Sequence, residues 1–174
     1  MIGASDRDLR VLLLESTGMV TELLAALFDE PIDAVRIMHE SLRAGAGNLF
    51  NLDEGQELLQ RAAVLRGRVT GVRYLYAESL IACERLPETV TAQLWDTDTP
   101  LGRALVAGGV VFGRRMLGEP RGNPMNVDEQ LLTLIRSVDA KRSYQILIND
   151  VTVAAVDEWF LPAALDAPRT IRDM

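Results

Sequence analysis

Apolar positions follow two different periods along this chain, and the switches between them mark out its elements. Leu9, Leu12 and Leu13 recur at helical spacing over residues 6–15, behind Ser5 or Asp6 as a cap. Ser16-Thr17-Gly18 interrupts, and Met19, Leu23, Leu24, Leu27 and Phe28 continue a second helical stripe. Pro31 opens a new element, and residues 34–42 read as a strand with Val35, Ile37 and His39 on one parity. Beyond the loop Gly45-Ala46-Gly47-Asn48, a helical turn is expected over 53–60 and a short strand over 61–66. Residues 67–71 supply a turn into 72–83, whose Val, Tyr and Leu content completes a first hairpin.

Pro87 then opens a helix running to Leu94, with Glu88 well placed in its first turn. Thr99-Pro100-Leu101-Gly102 precedes another helical stripe at Leu101, Ala104 and Leu105. A strand is expected over 110–117, an exposed loop over 118–124, and a helix over 127–138 from Leu131, Leu134, Ile135 and Val138. The clearest hairpin comes last: 143–148, a turn at Asn149-Asp150, then 151–160, stopped by Pro162. Helices first, then hairpins with helical inserts, predict one α+β domain over residues 1–174 around an antiparallel sheet.

Charge narrows the partners. With 25 acidic and 18 basic residues the formal net charge is −7, which gives no general attraction to nucleic acid or anionic lipid. An anionic substrate would need a local Arg cluster. A single cysteine (Cys83) and a single histidine (His39) exclude an intramolecular disulfide and a zinc site built from Cys and His clusters. The run 11–14 is too short for a signal-peptide core, and no stretch approaches membrane-spanning length, so a cytoplasmic protein is expected.

Few residues carry candidate chemistry. His39 would have to serve any nucleophile as base, but no nucleophile elbow accompanies it, and Cys83 sits in an apolar stretch as a small hydrophobe. Gly45-Ala46-Gly47 lacks a phosphate-binding frame. Arg114, Arg115 and Arg121 form a small basic patch, either a ligand-gathering site or a solvated loop rim. Glu158 shares its strand parity with Ala154, Val156 and Phe160, where a partly desolvated carboxylate suits proton transfer or a hydrogen bond to a phenol; the opposite parity is also largely apolar. Arg61 shares parity with Ala63 and Leu65, and a guanidinium on such a face needs an anion. A ligand carboxylate and an internal ion pair, with Glu158 or another acid, satisfy that spacing equally.

Read in order, these pieces resemble the chorismate pyruvate-lyase (4-hydroxybenzoate synthase) family, in its branch outside the ubiquinone-pathway enzymes. The matching segments are Arg7-Asp8-Leu9-Arg10-Val11-Leu12, Gln60-Arg61, Leu65-Arg66-Gly67-Arg68 and Ala77-Glu78-Ser79-Leu80-Ile81-Ala82. They continue with Arg85-Leu86-Pro87, Pro100-Leu101-Gly102 and Glu158-Trp159-Phe160-Leu161-Pro162, and together span nearly the whole chain. The resemblance implies an antiparallel sheet of about six strands with helices packed on it and an enclosed pocket under helical flaps. It implies a lyase that converts chorismate to 4-hydroxybenzoate and pyruvate without metal or cofactor. In that likeness Arg61 matches the Arg gripping the ring carboxylate, and Glu158 the carboxylate meeting the ring hydroxyl. Leu101 matches a backbone N–H donor to the ligand carboxylate, and Met19 an apolar wall near a flap. The hairpin carrying Arg61 is longer than in the ubiquinone branch, and that branch's closing Leu-Tyr is replaced by Ala164-Leu165-Asp166. A lyase for a related enolpyruvyl or aromatic acid is one alternative. A non-catalytic aromatic-acid sensor is another, since the scaffold also resembles ligand-sensing domains of some transcription regulators. Those normally follow a winged-helix domain, for which this chain is expected to have neither room nor basic charge.

Overall fold

A computed structural model describes residues 4–16, 19–120, 122–125 and 127–166, with backbone alone for 4–8. Its helices are α1 (Ala4–Glu15), α2 (Val20–Phe28), α3 (Glu88–Asp96), α4 (Leu101–Ala107) and α5 (Glu129–Ser137). Its strands are β1 (Ile32–Arg43), β2 (Glu57–Gly67), β3 (Arg73–Ile81), β4 (Gly113–Gly118), β5 (Lys141–Ile148) and β6 (Val151–Phe160). They form one six-stranded sheet in the order β1-β2-β3-β6-β5-β4, with every neighbouring pair antiparallel. Two three-stranded meanders thus meet at the β3–β6 seam, and the expected α+β class with helices on an antiparallel sheet is what the chain adopts.

The helices divide the two faces. On one face Leu13, Leu24 and Leu27 of α1 and α2 pack with Leu65, Leu75 and Phe160. Beside them Val90 and Leu94 of α3 and Ala104 and Leu105 of α4 pack with Ile81 and Ile146. On the reverse face Leu131 and Ile135 of α5 cover Val64, Tyr76 and Trp159. The gap between the first two helix pairs is where a pocket can form.

Several local expectations change. Residues 57–60 belong to β2 rather than to a helical turn, because Leu58 and Leu59 are both buried, one on each face, and pair with β1. Val35, Ile37 and His39 do not share a face: β1 carries a bulge between Arg36 and Met38, so Ile37 is the extra residue and parity inverts after it. Leu12 is exposed while Leu13 is fully buried, and Ser5 and Asp6 lie inside the first turn of α1 rather than ahead of it. β4 begins at Gly113, since Val110 and Phe112 turn into the core beneath α3 and α4. The final hairpin turns as expected: Asn149 and Asp150 both take positive φ, the two-residue turn that matches strand twist.

The reverse face holds a buried acid, Glu78. Its Oε1 lies 2.7 Å from the Tyr76 hydroxyl and also accepts the Met125 N–H, while the same hydroxyl reaches the Met125 carbonyl. The phenol proton is thus shared between the Glu78 carboxyl and the Met125 carbonyl. Burial pushes the Glu78 carboxyl up, outweighing its bonds from Tyr76 and Met125, with Asp157 adding to the rise. A raised folded-state pKa gives stability that is complete below the unfolded carboxylate value, about 4.3, and declines as pH rises through the folded one. Glu78→Gln, which cannot titrate, is expected to show a shallower decline in urea midpoint as pH rises above the unfolded carboxylate value, about 4.3. A slope equal to that of the unsubstituted chain would contradict this.

Candidate active site

Cross-strand pairing lines up three rows of side chains on the α1–α4 face. Arg61 of β2 lies opposite Ser79 of β3, Ala77 opposite Glu158 of β6, and Glu158 opposite Arg142 of β5; Val156 pairs with Tyr144, and Arg114 of β4 with Ile146. These rows floor a cavity of about 90 Å³ closed by Met19, Val20 and Thr21 from the start of α2 and by Pro100, Leu101 and Gly102 at the start of α4. Met19, Arg61, Leu101 and Glu158, the four residues singled out in the sequence, all line it. A cavity of roughly 150 Å³ holds benzene. The space as it stands is smaller than a substituted benzene ring.

Arg61 and Glu158 stand at separate stations and do not pair with each other. Arg61 is 8% exposed, and both of its terminal nitrogens donate to the Thr99 carbonyl at 3.1 Å, with the Thr97 carbonyl at 3.4 Å from one of them. Both acceptors are neutral carbonyl oxygens. Burial, reinforced by nearby Arg36, draws its pKa below the usual guanidinium value. Asp98 nearby partly offsets this, and a carboxylate entering the cavity would give the buried charge a directly bonded anion. Leu101 begins α4, so its N–H has no carbonyl one turn earlier within the helix.

Glu158 is 2% exposed and already doubly engaged. Arg142 Nε donates to Oε2 at 2.6 Å and the Tyr144 hydroxyl donates to Oε1 at 2.8 Å. Arg142, equally buried, also donates through Nη1 to the carbonyls of Leu13 and Ser16, so the guanidinium joins the end of α1 to the pocket carboxylate. Burial, and then the adjoining Glu158 charge, raises the Tyr144 phenol well above its usual value and keeps it a donor.

Arg142 and Tyr144 escaped the sequence reading, and the reason is a register shift. A two-residue turn at Asn149-Asp150 without irregularity would set Glu158 opposite Lys141. A bulge between Ile146 and Leu147 moves the pairing by one residue and brings Arg142 there instead. The pair Arg61–Glu158, weighed as an internal bridge, is thus replaced by Arg142–Glu158. The basic patch separates too: Arg114 lines the cavity, exposed Arg115 projects from the other side of β4, and Arg121 lies outside the described residues.

His39 stands across from Arg61 on the neighbouring strand, edge-on to Trp95 with ring centroids 4.9 Å apart. Burial, then Arg36 and Arg61, lower its pKa, and it is not part of the cavity lining. Cys83 is packed in the core beneath α3, where burial pushes its thiol to about 11. Among the described residues no group of three His, Cys, Asp or Glu side chains is placed to hold a metal ion, and no helix is long and apolar enough to cross a membrane.

A sheet of this order, with helices on both faces and a pocket at the seam between two helix pairs, is the chorismate-lyase-like fold. It is shared with PhnF from Mycobacterium smegmatis (TM-score 0.56, 17% identity, 86% of this chain and 66% of that one). The effector domain of that protein gives TM-score 0.55 at 18% identity, over 85% of this chain and 91% of that one. The C-terminal domain of the histidine utilization repressor from Pseudomonas syringae gives 0.51 at 9%, over 76% and 93%. The sequence itself is similar to proteins named chorismate pyruvate-lyase, as the ordered motifs implied. It is 35% identical over 108 residues to that of Mycobacterium leprae, covering 60% of this chain and 50% of the relative. It is 32% identical over 110 residues to that of Mycobacterium tuberculosis H37Rv, covering 60% and 54%. The chain spans about half the length of the curated relatives it matches. No family model matches it.

Proposed function

We propose that this chain converts chorismate to 4-hydroxybenzoate and pyruvate in the cavity lined by Arg61, Leu101 and Glu158. The observation that carries this reading is a buried guanidinium and a buried carboxylate, two strands apart, facing one small apolar cavity. Neighbouring strands lie ~4.8 Å apart and the pairings to Ser79 and Ala77 offset the stations by two residues, so they are separated by roughly 12 Å at the backbone, with side chains reaching inward. That suits a ring with a carboxylate at one end and a hydroxyl at the other. Arg61 and the Leu101 N–H take the ring carboxylate, Glu158 accepts the C4 hydroxyl, and Met19 forms an apolar wall. The similarity to relatives named for this reaction supports the substrate.

The elimination needs only orientation and exclusion of water. Glu158 already accepts one bond on each oxygen, from Arg142 and Tyr144, and keeps lone pairs for a hydroxyl. We propose that the C4 hydrogen passes to the methylene carbon of the enolpyruvyl group, rather than to Glu158. The C3–O bond breaks as its electron pair becomes the pyruvate carbonyl, and the C–H electrons close the aromatic ring. Every atom is accounted for within the substrate.

The shared fold with an effector domain keeps a second reading in view, a protein that binds an aromatic acid without turning it over. Mixing the purified chain with chorismate and following both products separates the two. Release of both at turnover supports the lyase, and binding without turnover supports the sensor. Neither binding nor turnover would mean a different acid and would overturn the chorismate assignment.

A further inference from the structure

We propose that Arg114 is the receptor for the second carboxylate of the substrate, the one on the enolpyruvyl group, and so sets the preference for substrate over product. This rests on the chorismate reading above and extends it to a residue that it leaves unassigned.

Chorismate is a dianion and 4-hydroxybenzoate a monoanion. With the ring carboxylate at Arg61 and the hydroxyl at Glu158, the enolpyruvyl group, attached next to the hydroxyl-bearing carbon, projects at the Glu158 end. The charged residues lining the cavity are Arg61, Asp98, Arg114 and Glu158. Asp98 is taken by Arg36 at 2.7 Å and Glu158 by Arg142 at 2.6 Å. The cation of the lining that is not at the ring-carboxylate station is Arg114.

Its position fits. Arg114 sits on β4, and its guanidinium carbon lies 5.0 Å from the centre of the Tyr144 ring, whose hydroxyl is bonded to Glu158. Its Nη2 comes within 3.9 Å of where a Cβ on Gly102 would stand, and the Met19 side chain meets the same point at 3.5 Å. The guanidinium therefore leans from the sheet edge over Tyr144 toward the wall made by Met19 and Gly102. Guanidinium and carboxylate match in two-pronged geometry. Once the C3–O bond breaks, this contact belongs to pyruvate and no longer holds the ring.

The test compares two ligands on Arg114→Met and Arg114→Lys. For Arg114→Met, KM for chorismate is expected to rise about 10- to 100-fold, the worth of a charge-assisted contact. The dissociation constant for 4-hydroxybenzoate should stay within about twofold, and Arg114→Lys should recover part of the chorismate loss. Retained product binding shows that the variant is folded with its Arg61–Glu158 axis intact. Equal losses for both ligands would make Arg114 a support for Tyr144 rather than a receptor, and no change for either would remove it from the site. Both outcomes overturn the proposal. Failure of the unsubstituted chain to act on chorismate would instead overturn the parent reading, before any variant is made.

Discussion

Replacing Arg142 with methionine is expected to destabilise the chain by about 3–5 kcal/mol, the usual consequence of removing one partner from a buried ion pair. The side chain is 2% exposed and bonded on two sides, to Glu158 on β6 and to the carbonyls of Leu13 and Ser16. Methionine fills much of the volume but leaves Glu158 as a buried carboxylate held by Tyr144 alone, and it frees the end of α1. A urea titration would show the midpoint falling with the slope unchanged, since the surface exposed on unfolding is nearly the same. A loss below about 0.5 kcal/mol, the range of ordinary surface changes, would mean that the pair is not a structural link.

The second large effect is on turnover. Arg61→Ala removes the two-pronged station for the ring carboxylate, and the chorismate kcat/KM is expected to fall on the order of 10²- to 10³-fold. Arg61 also ties down the segment 97–99 through its carbonyl contacts, so Arg61→Lys is the needed control. Lysine keeps the charge but not the fork, and it should recover only part of the rate. Glu158→Gln bears on the mechanism. If Glu158 only accepts the hydroxyl, the loss should be about 10- to 100-fold, the worth of a hydrogen bond to a charged group. A loss near 10⁴-fold would point instead to general-base catalysis. Either variant restored to the unsubstituted rate would remove that residue from the site.

How much of this was legible in the sequence depended on where the backbone was regular. Parity along β2 and β6 placed Arg61 with Ala63 and Leu65, and Glu158 with Val156, and these residues line one cavity. The turn at Asn149-Asp150 was readable because its two residues are among those that tolerate positive φ. The partner of Glu158 was not readable, because a one-residue bulge decides between Lys141 and Arg142 and no composition signal marks it. A bulge in β1 likewise moved His39 to the face opposite that of Val35. The roles of Arg61, Leu101, Glu158 and Met19 came from ordered motifs rather than from spacing, and the geometry adds what motifs cannot: which carbonyls hold Arg61, and which donors occupy Glu158.

The most direct measurement is the yield of pyruvate and 4-hydroxybenzoate per chain at saturating chorismate, taken beside Arg61→Ala. The expected result is many turnovers per chain with the two products in a one-to-one ratio, and a loss of at least about 100-fold in the variant's kcat/KM. Chorismate disappearing no faster than in protein-free buffer would contradict the lyase. Equal kcat/KM for the two proteins would contradict its placement in this cavity.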